Sequence, residues 1–128
     1  MTTSKEQLRA AILQPRQPPF KDVEVGIWKS PDNPQGMVRV VGMTAAGRDH
    51  WEATNTRVEG GTIKTNRENQ RARMLVLCLY DPVSNEPLFK EEEAAALGMT
   101  PADVLDPLFL LAAELSGVGT KLESLKGN

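Results

Sequence analysis

His50 and Cys78 are the only histidine and the only cysteine of the chain, so histidine- or thiol-based chemistry, including a triad of His50 with a serine, would have to draw on them. A Ser-His-Asp arrangement built on a nucleophile elbow needs a Gly-x-Ser-x-Gly turn, and the sequence has none. Asp49 and Trp51 flank His50 in a stretch of helical composition, which reads as a half-exposed helix histidine. Cys78 lies within "LVLCLY", apolar surroundings that favour a small core residue over an activated thiolate, which needs electropositive and accessible surroundings. No catalytic residue is expected.

One His and one Cys also fall short of a structural zinc site. The stretch "DPVSNE" offers oxygen ligands, but a calcium loop needs them at its first, third and fifth positions and Gly at the sixth. Here Asp81, Val83, Asn85 and Glu86 stand there, and the pattern fails. Glu91, Glu92 and Glu93 are adjacent, so on a helix they diverge; they suit the positive end of a helix dipole. "GGTIKT" (Gly60 to Thr65) is similar to a phosphate loop, yet no glycine directly precedes Lys64. No metal and no cofactor is expected.

Charge distribution is more informative than any motif. The chain carries 15 Lys+Arg against 17 Asp+Glu, a formal charge of −2, which argues against a protein built to neutralise nucleic-acid phosphate. Residues 39–73, however, hold Arg39, Arg48, Arg57, Lys64, Arg67, Arg71 and Arg73 against four acids, while residues 81–115 hold eight acids and one lysine. These halves either neutralise each other within one chain or meet between copies, a heterologous contact that builds a ring or an open spiral. Candidate self-association residues are Arg67, Arg71, Arg73, Glu91, Glu92, Glu93, Asp103 and Asp106. A second reading uses Arg67, Arg71 and Arg73 as the basic helix face of a small nucleic-acid-binding or regulatory protein. Trp28, Met37 and Met43 are either core residues, with Trp28 packed on Trp51, or an adaptable partner-binding surface.

The elements that must carry these residues follow from spacing. At 128 residues the chain is one domain. Ser4 and Gln7 have capping-box spacing, and Leu8, Ala11 and Ile12 share a face, which predicts a helix from about Ser4 to Leu13. "VEVGIW" and "MVRVVGM", separated by the turn-rich "KSPDNPQG", predict a β-hairpin over Val23–Trp28 and Met37–Met43, with Gly42 marking a bulge or a close backbone approach. Thr44 caps a helix over Ala45–Thr56, although Gly47 costs it about 1 kcal/mol against alanine. "RVEGGTIK" is expected to be a loop, and Thr65 with Glu68 to cap a helix over residues 66–80. Pro82 and Pro87 bracket a turn anchored by Leu88 and Phe89. A short helix over Lys90–Leu97 closes at Gly98; Thr100 caps the last helix, with Pro101 in its first turn. Val104, Leu105, Leu108, Phe109, Leu111, Ala112 and Leu115 form its apolar stripe, broken at Pro107 by a kink or by a second start capped at Asp106. The fold class is therefore α+β: a predominantly helical single domain over 1–117 with an N-terminal β-hairpin, followed by a mobile tail over 118–128. No apolar signal segment or membrane span is evident, and the lone buried thiol suits a reducing compartment.

In this order, "VVGMTAAGRDHWEA" and then "ENQRARMLVLCLYDPVSNEPLFKEEEAAALGMTPADVLDPLFLLAAELSGVG" resemble the tail assembly chaperones of long-tailed bacteriophages. In that family an Arg-led apolar helix ends in an acidic "YDP...NEPLF" turn, runs into an acidic segment ending "ALG", and closes with a helix like "LDPLFLLAAELSGVG". The resemblance covers Arg71 through Gly119 and, more loosely, Met43 through Ala53. It implies a non-enzymatic, multimeric late protein of virion morphogenesis in the host cytoplasm. Such a protein coats the tape measure protein, helps recruit tail tube protein, and is absent from the finished virion. It also implies a longer form, made by programmed frameshifting, that joins at the C-terminal tail.

Overall fold

The computed structural model describes residues 3–118 and contains one α+β domain. The expected C-terminal tail, apart from Val118, lies outside the described residues.

Five helices and two antiparallel β-structures follow in the order α1 (Ser4–Leu13), β1 (Phe20–Glu24), β2 (Met37–Val41), α2 (Ala45–Thr54), β3 (Thr56–Glu59), β4 (Thr62–Thr65), α3 (Gln70–Cys78), β5 (Leu79–Tyr80), α4 (Ala94–Leu97) and α5 (Ala102–Leu115). The first sheet has the order β1-β2-β5, with Val23 opposite Val38 and Leu79 opposite Val40. Val38 and Val40 point into the core, and α3 and α5 cover that face. On the opposite face Arg39 forms a two-pronged ion pair with Asp22 at 2.7 and 3.1 Å and lies over the Phe20 ring. The core is completed by Trp51 from α2, by Ala72, Met74, Leu75, Val76 and Cys78 from α3, and by Leu105, Leu108, Ala112 and Ala113 from α5.

The structure moves several boundaries. The α1 capping box sits one residue earlier than spacing suggests: Thr3 Oγ1 accepts from Glu6 N, and Glu6 returns a carboxylate to Thr3 N. A charged glutamate at this dipole end is favoured over Gln7. The first strand begins at Phe20 and stops at Glu24; Gly26–Trp28 instead forms a 3-10 turn, which the 3-10 bond from Trp28 N to Val25 O begins. "RVEGGTIK" is a second hairpin, β3-β4, not a loop. Gly60 and Gly61 both have positive φ, 57° and 79°, as a two-residue primed turn requires, and β-branched residues flank them. Residues through Thr65 being in this hairpin, α3 starts only at Gln70, after a left-handed Asn69. Its predicted last turn straightens at Leu79–Tyr80 to pair with β2. Thr100 does not cap α5; Pro101 holds the N-cap position. Helix α5 runs unbroken through Pro107, with neither a second start nor a cap at Asp106. Pro107 leaves the Asp103 carbonyl without its intrahelical donor, and both residues are exposed.

Gly42 marks a close approach. A Cβ there would sit 2.4 Å from the Leu115 carbonyl oxygen, so the end of α5 rests directly on the backbone after β2.

Candidate functional site: an acid-rimmed apolar groove

Two loops leave the same end of the first sheet, one joining β1 to β2 and one following β5. In the first, Asn33 holds the chain reversal with its side-chain amide, accepting from Met37 N at 3.0 Å and donating to Met37 O at 2.8 Å. The second is the Pro-bracketed turn after β5. There the Asp81 carboxylate accepts from Val83 N at 2.9 Å and from the Ser84 hydroxyl at 3.0 Å, and Asn85 takes the left-handed conformation at φ 59°. These bonds hold the Asp81 carboxyl below its ordinary pKa. The turn is locked by its own residues: Asp81 O accepts from Asn85 N, and Leu79 O accepts from Leu88 N. Phe89 anchors it on the core, but Leu88, expected to do so as well, is 48 % exposed and Val83 is 93 % exposed.

Between these loops and α4 lies a groove of about 980 Å³. Val38, Leu79 and Leu97 form its floor, and Trp28, Met37 and Phe89 its walls. Asp22, Asp32, Asp81 and Glu93 are the charged residues lining it; no Lys, Arg or His does. Arg39 beside Asp22 keeps that carboxyl below its ordinary pKa by hydrogen bonding and charge. The groove is thus an apolar trough with anionic edges, suited to an apolar helix edge flanked by cations.

The sequence candidates divide accordingly. Trp28 and Met37 are brought together in the groove, while Met43 lies elsewhere, in a 370 Å³ pocket with Thr44, Arg48 and Ser116. Trp28 does not pack on Trp51, whose ring stands 6.3 Å from Phe109 in the core. Among the charged candidates, Arg71 pairs with Asp106 and Glu91 contacts His50, so part of the opposite charge is matched within the chain. Arg73 is half-buried and fully engaged: it donates to Glu68 O, Asn66 O, Thr54 Oγ1 and Asn55 Oδ1, tying α3 to the α2–β3 corner. Glu93 accepts from Lys90 N at the start of the acidic segment. Arg67, Glu92 and Asp103 are exposed.

Cys78 is fully buried, and burial pushes its thiol up to about 12, against a smaller opposing effect of Ser116; it is protonated at neutral pH. Among the described residues no three His, Cys, Asp or Glu side chains are grouped to hold a metal ion, and no helix is long and apolar enough to cross a membrane. Sequence reasoning missed the groove because its walls come from residues 22–38 and 79–100. The available signal was Val83 and Leu88, two apolar residues inside an otherwise polar turn.

No protein-family model and no curated protein matches the sequence. Among solved structures, the tail assembly chaperone of bacteriophage HK97 superposes with a TM-score of 0.61, at 15 % identity over 91 % of this chain and 99 % of that one. At that identity the likeness is one of architecture: the chain shares its fold with a phage tail assembly chaperone.

Proposed function

We propose that this protein is a tail assembly chaperone of a long-tailed phage, which multimerises, binds the tape measure protein and aids tail tube assembly. The observation that carries the reading is the fold likeness along nearly the whole chain, on residues that independently resemble the same family. Self-association needs an apolar contact as well as charge, because exposed ion pairs contribute only about 0–1 kcal/mol each. The groove at Trp28 and Met37 supplies the apolar part. Arg67, Glu92 and Asp103, together with the paired Arg71, Asp106 and Glu91, supply the charge. The nucleic-acid reading relies on Arg67, Arg71 and Arg73, of which Arg73 is engaged by four oxygens of its own chain and Arg71 is paired. That leaves Arg67 as its one unengaged cation and favours the chaperone.

Co-expression with the tape measure protein of the same genome, followed by size-exclusion chromatography with light scattering at low and high salt, tests the proposal. A soluble complex carrying many copies is expected. A tape measure protein that precipitates while this chain elutes as a free monomer overturns it. The further parts of the reading are host-cytoplasmic location, absence from the virion and a longer frameshifted form recruiting tail tube protein. Immunoblots of infected cells and purified virions test them: two products in cells and none in virions is the expected result.

A further inference from the structure

Helix α1 has no buried residue, and Leu8, Ile12 and Leu13 are 62 %, 69 % and 62 % exposed. A ten-residue helix is too short to be stable in water by itself, since isolated helices below about 12–15 residues are marginal. Its capping box adds only about 1 kcal/mol. Its composition indicates what should cover it. Leu8 and Ile12 lie one turn apart on one row, and Lys5 and Arg9, also one turn apart, run beside them. Neither cation forms an ion pair among the described residues.

The groove has the complementary chemistry: an apolar floor and walls and four lining acids, of which Asp22 is paired with Arg39 while Asp32, Asp81 and Glu93 have no ion pair among the described residues. The segment after α1 links this unburied helix to its domain. Pro15, Pro18 and Pro19 stiffen that segment. It is also fixed to the body where Gln17 accepts from the Asn85 amide and Pro19 O accepts from Gly42 N.

We propose that α1 of one copy docks into the groove of a second copy, with Leu8 and Ile12 against Trp28, Met37 and Phe89 and with Lys5 and Arg9 facing Asp22, Asp32, Asp81 and Glu93. This rests on the multimer-forming part of the function proposed above and assigns the groove to the chain itself. The contact is heterologous, so each added copy presents a new helix and a new groove.

Two variants test it: Leu8→Glu with Ile12→Glu, which spoils the helix, and Ala96→Lys, which places a cation on the exposed α4 residue lining the groove. Both alter exposed positions, and thermal melts should confirm that each folds. By light scattering the wild type should be multimeric and each variant monomeric. Mixed together, the two should form a heterodimer, since the intact helix of one meets the intact groove of the other. A variant that assembles like the wild type, a mixture that fails to pair, or a wild type monomeric at all concentrations overturns the proposal. Tape-measure solubilisation by the two variants separates this from the chaperone reading. If they assemble normally and still solubilise the tape measure protein, the docking fails and the chaperone reading stands.

Discussion

Arg73 is the clearest case of a residue whose role depends on its partners. Its guanidinium meets four oxygens from two stretches, residues 54–55 and 66–68, and burial draws its pKa down from the ordinary value, with Glu68 opposing. Arg73→Ala should destabilise the fold by about 1–3 kcal/mol, because hydrogen bonds to a charged group are lost together; Arg73→Lys should recover only part, lacking the planar fork. Urea denaturation of the three proteins measures this. Cys78 should resist a thiol reagent in the folded protein and react in step with unfolding as denaturant is raised. Asp22 and Asp81 both have lowered pKa values, from 3.8, so the unfolded chain takes up protons before the folded one. Their stabilisation is present above that unfolded value and disappears as pH falls through the folded values. The melting temperature should drop below about pH 4, and Asp22→Asn should flatten part of that drop.

Elements meet at contacts that leave no room for change. Gly42→Ala would press a Cβ onto the Leu115 carbonyl, and the end of α5 would have to lift; a loss of about 1–3 kcal/mol is expected in thermal or chemical unfolding. Pro107 has the opposite sign. It is exposed within a continuous helix and removes one backbone bond, so Pro107→Ala should stabilise, by up to about 3 kcal/mol. The hairpin β3-β4 shows how a strand pair can form without a core: Val58 and Ile63 face each other across it yet are 72 % and 73 % exposed. Cross-strand packing and the Gly60–Gly61 turn hold it.

At the scale of the whole molecule, the proposed docking of the exposed helix α1 into the acid-rimmed groove would be driven by apolar burial and tuned by charge. Raising salt from about 0.05 to 0.5 M should shift light-scattering masses downward without abolishing assembly, because screening weakens the rim pairs but not the Leu8 and Ile12 contact.

Local patterns were legible wherever a short-range cause governs. Thr44 caps α2, the apolar stripe of α5 follows its 3.6-residue spacing, β2 alternates, and the Asp81–Phe89 turn is closed by its own side chains; each depends on residues within a few positions. The expectation of an α+β domain followed from those pieces. The tertiary structure decided what no neighbour in sequence could. Leu79–Tyr80 became a strand because β2 offered unpaired backbone, and Arg73 reaches the α2–β3 corner because four oxygens from two segments converge there. Trp28 lines the groove while Trp51 packs on Phe109, a separation no spacing between them encodes. The groove and the uncovered helix α1 are of the same kind: both are surfaces left over once the core has formed, and only the packed chain reveals which surfaces those are.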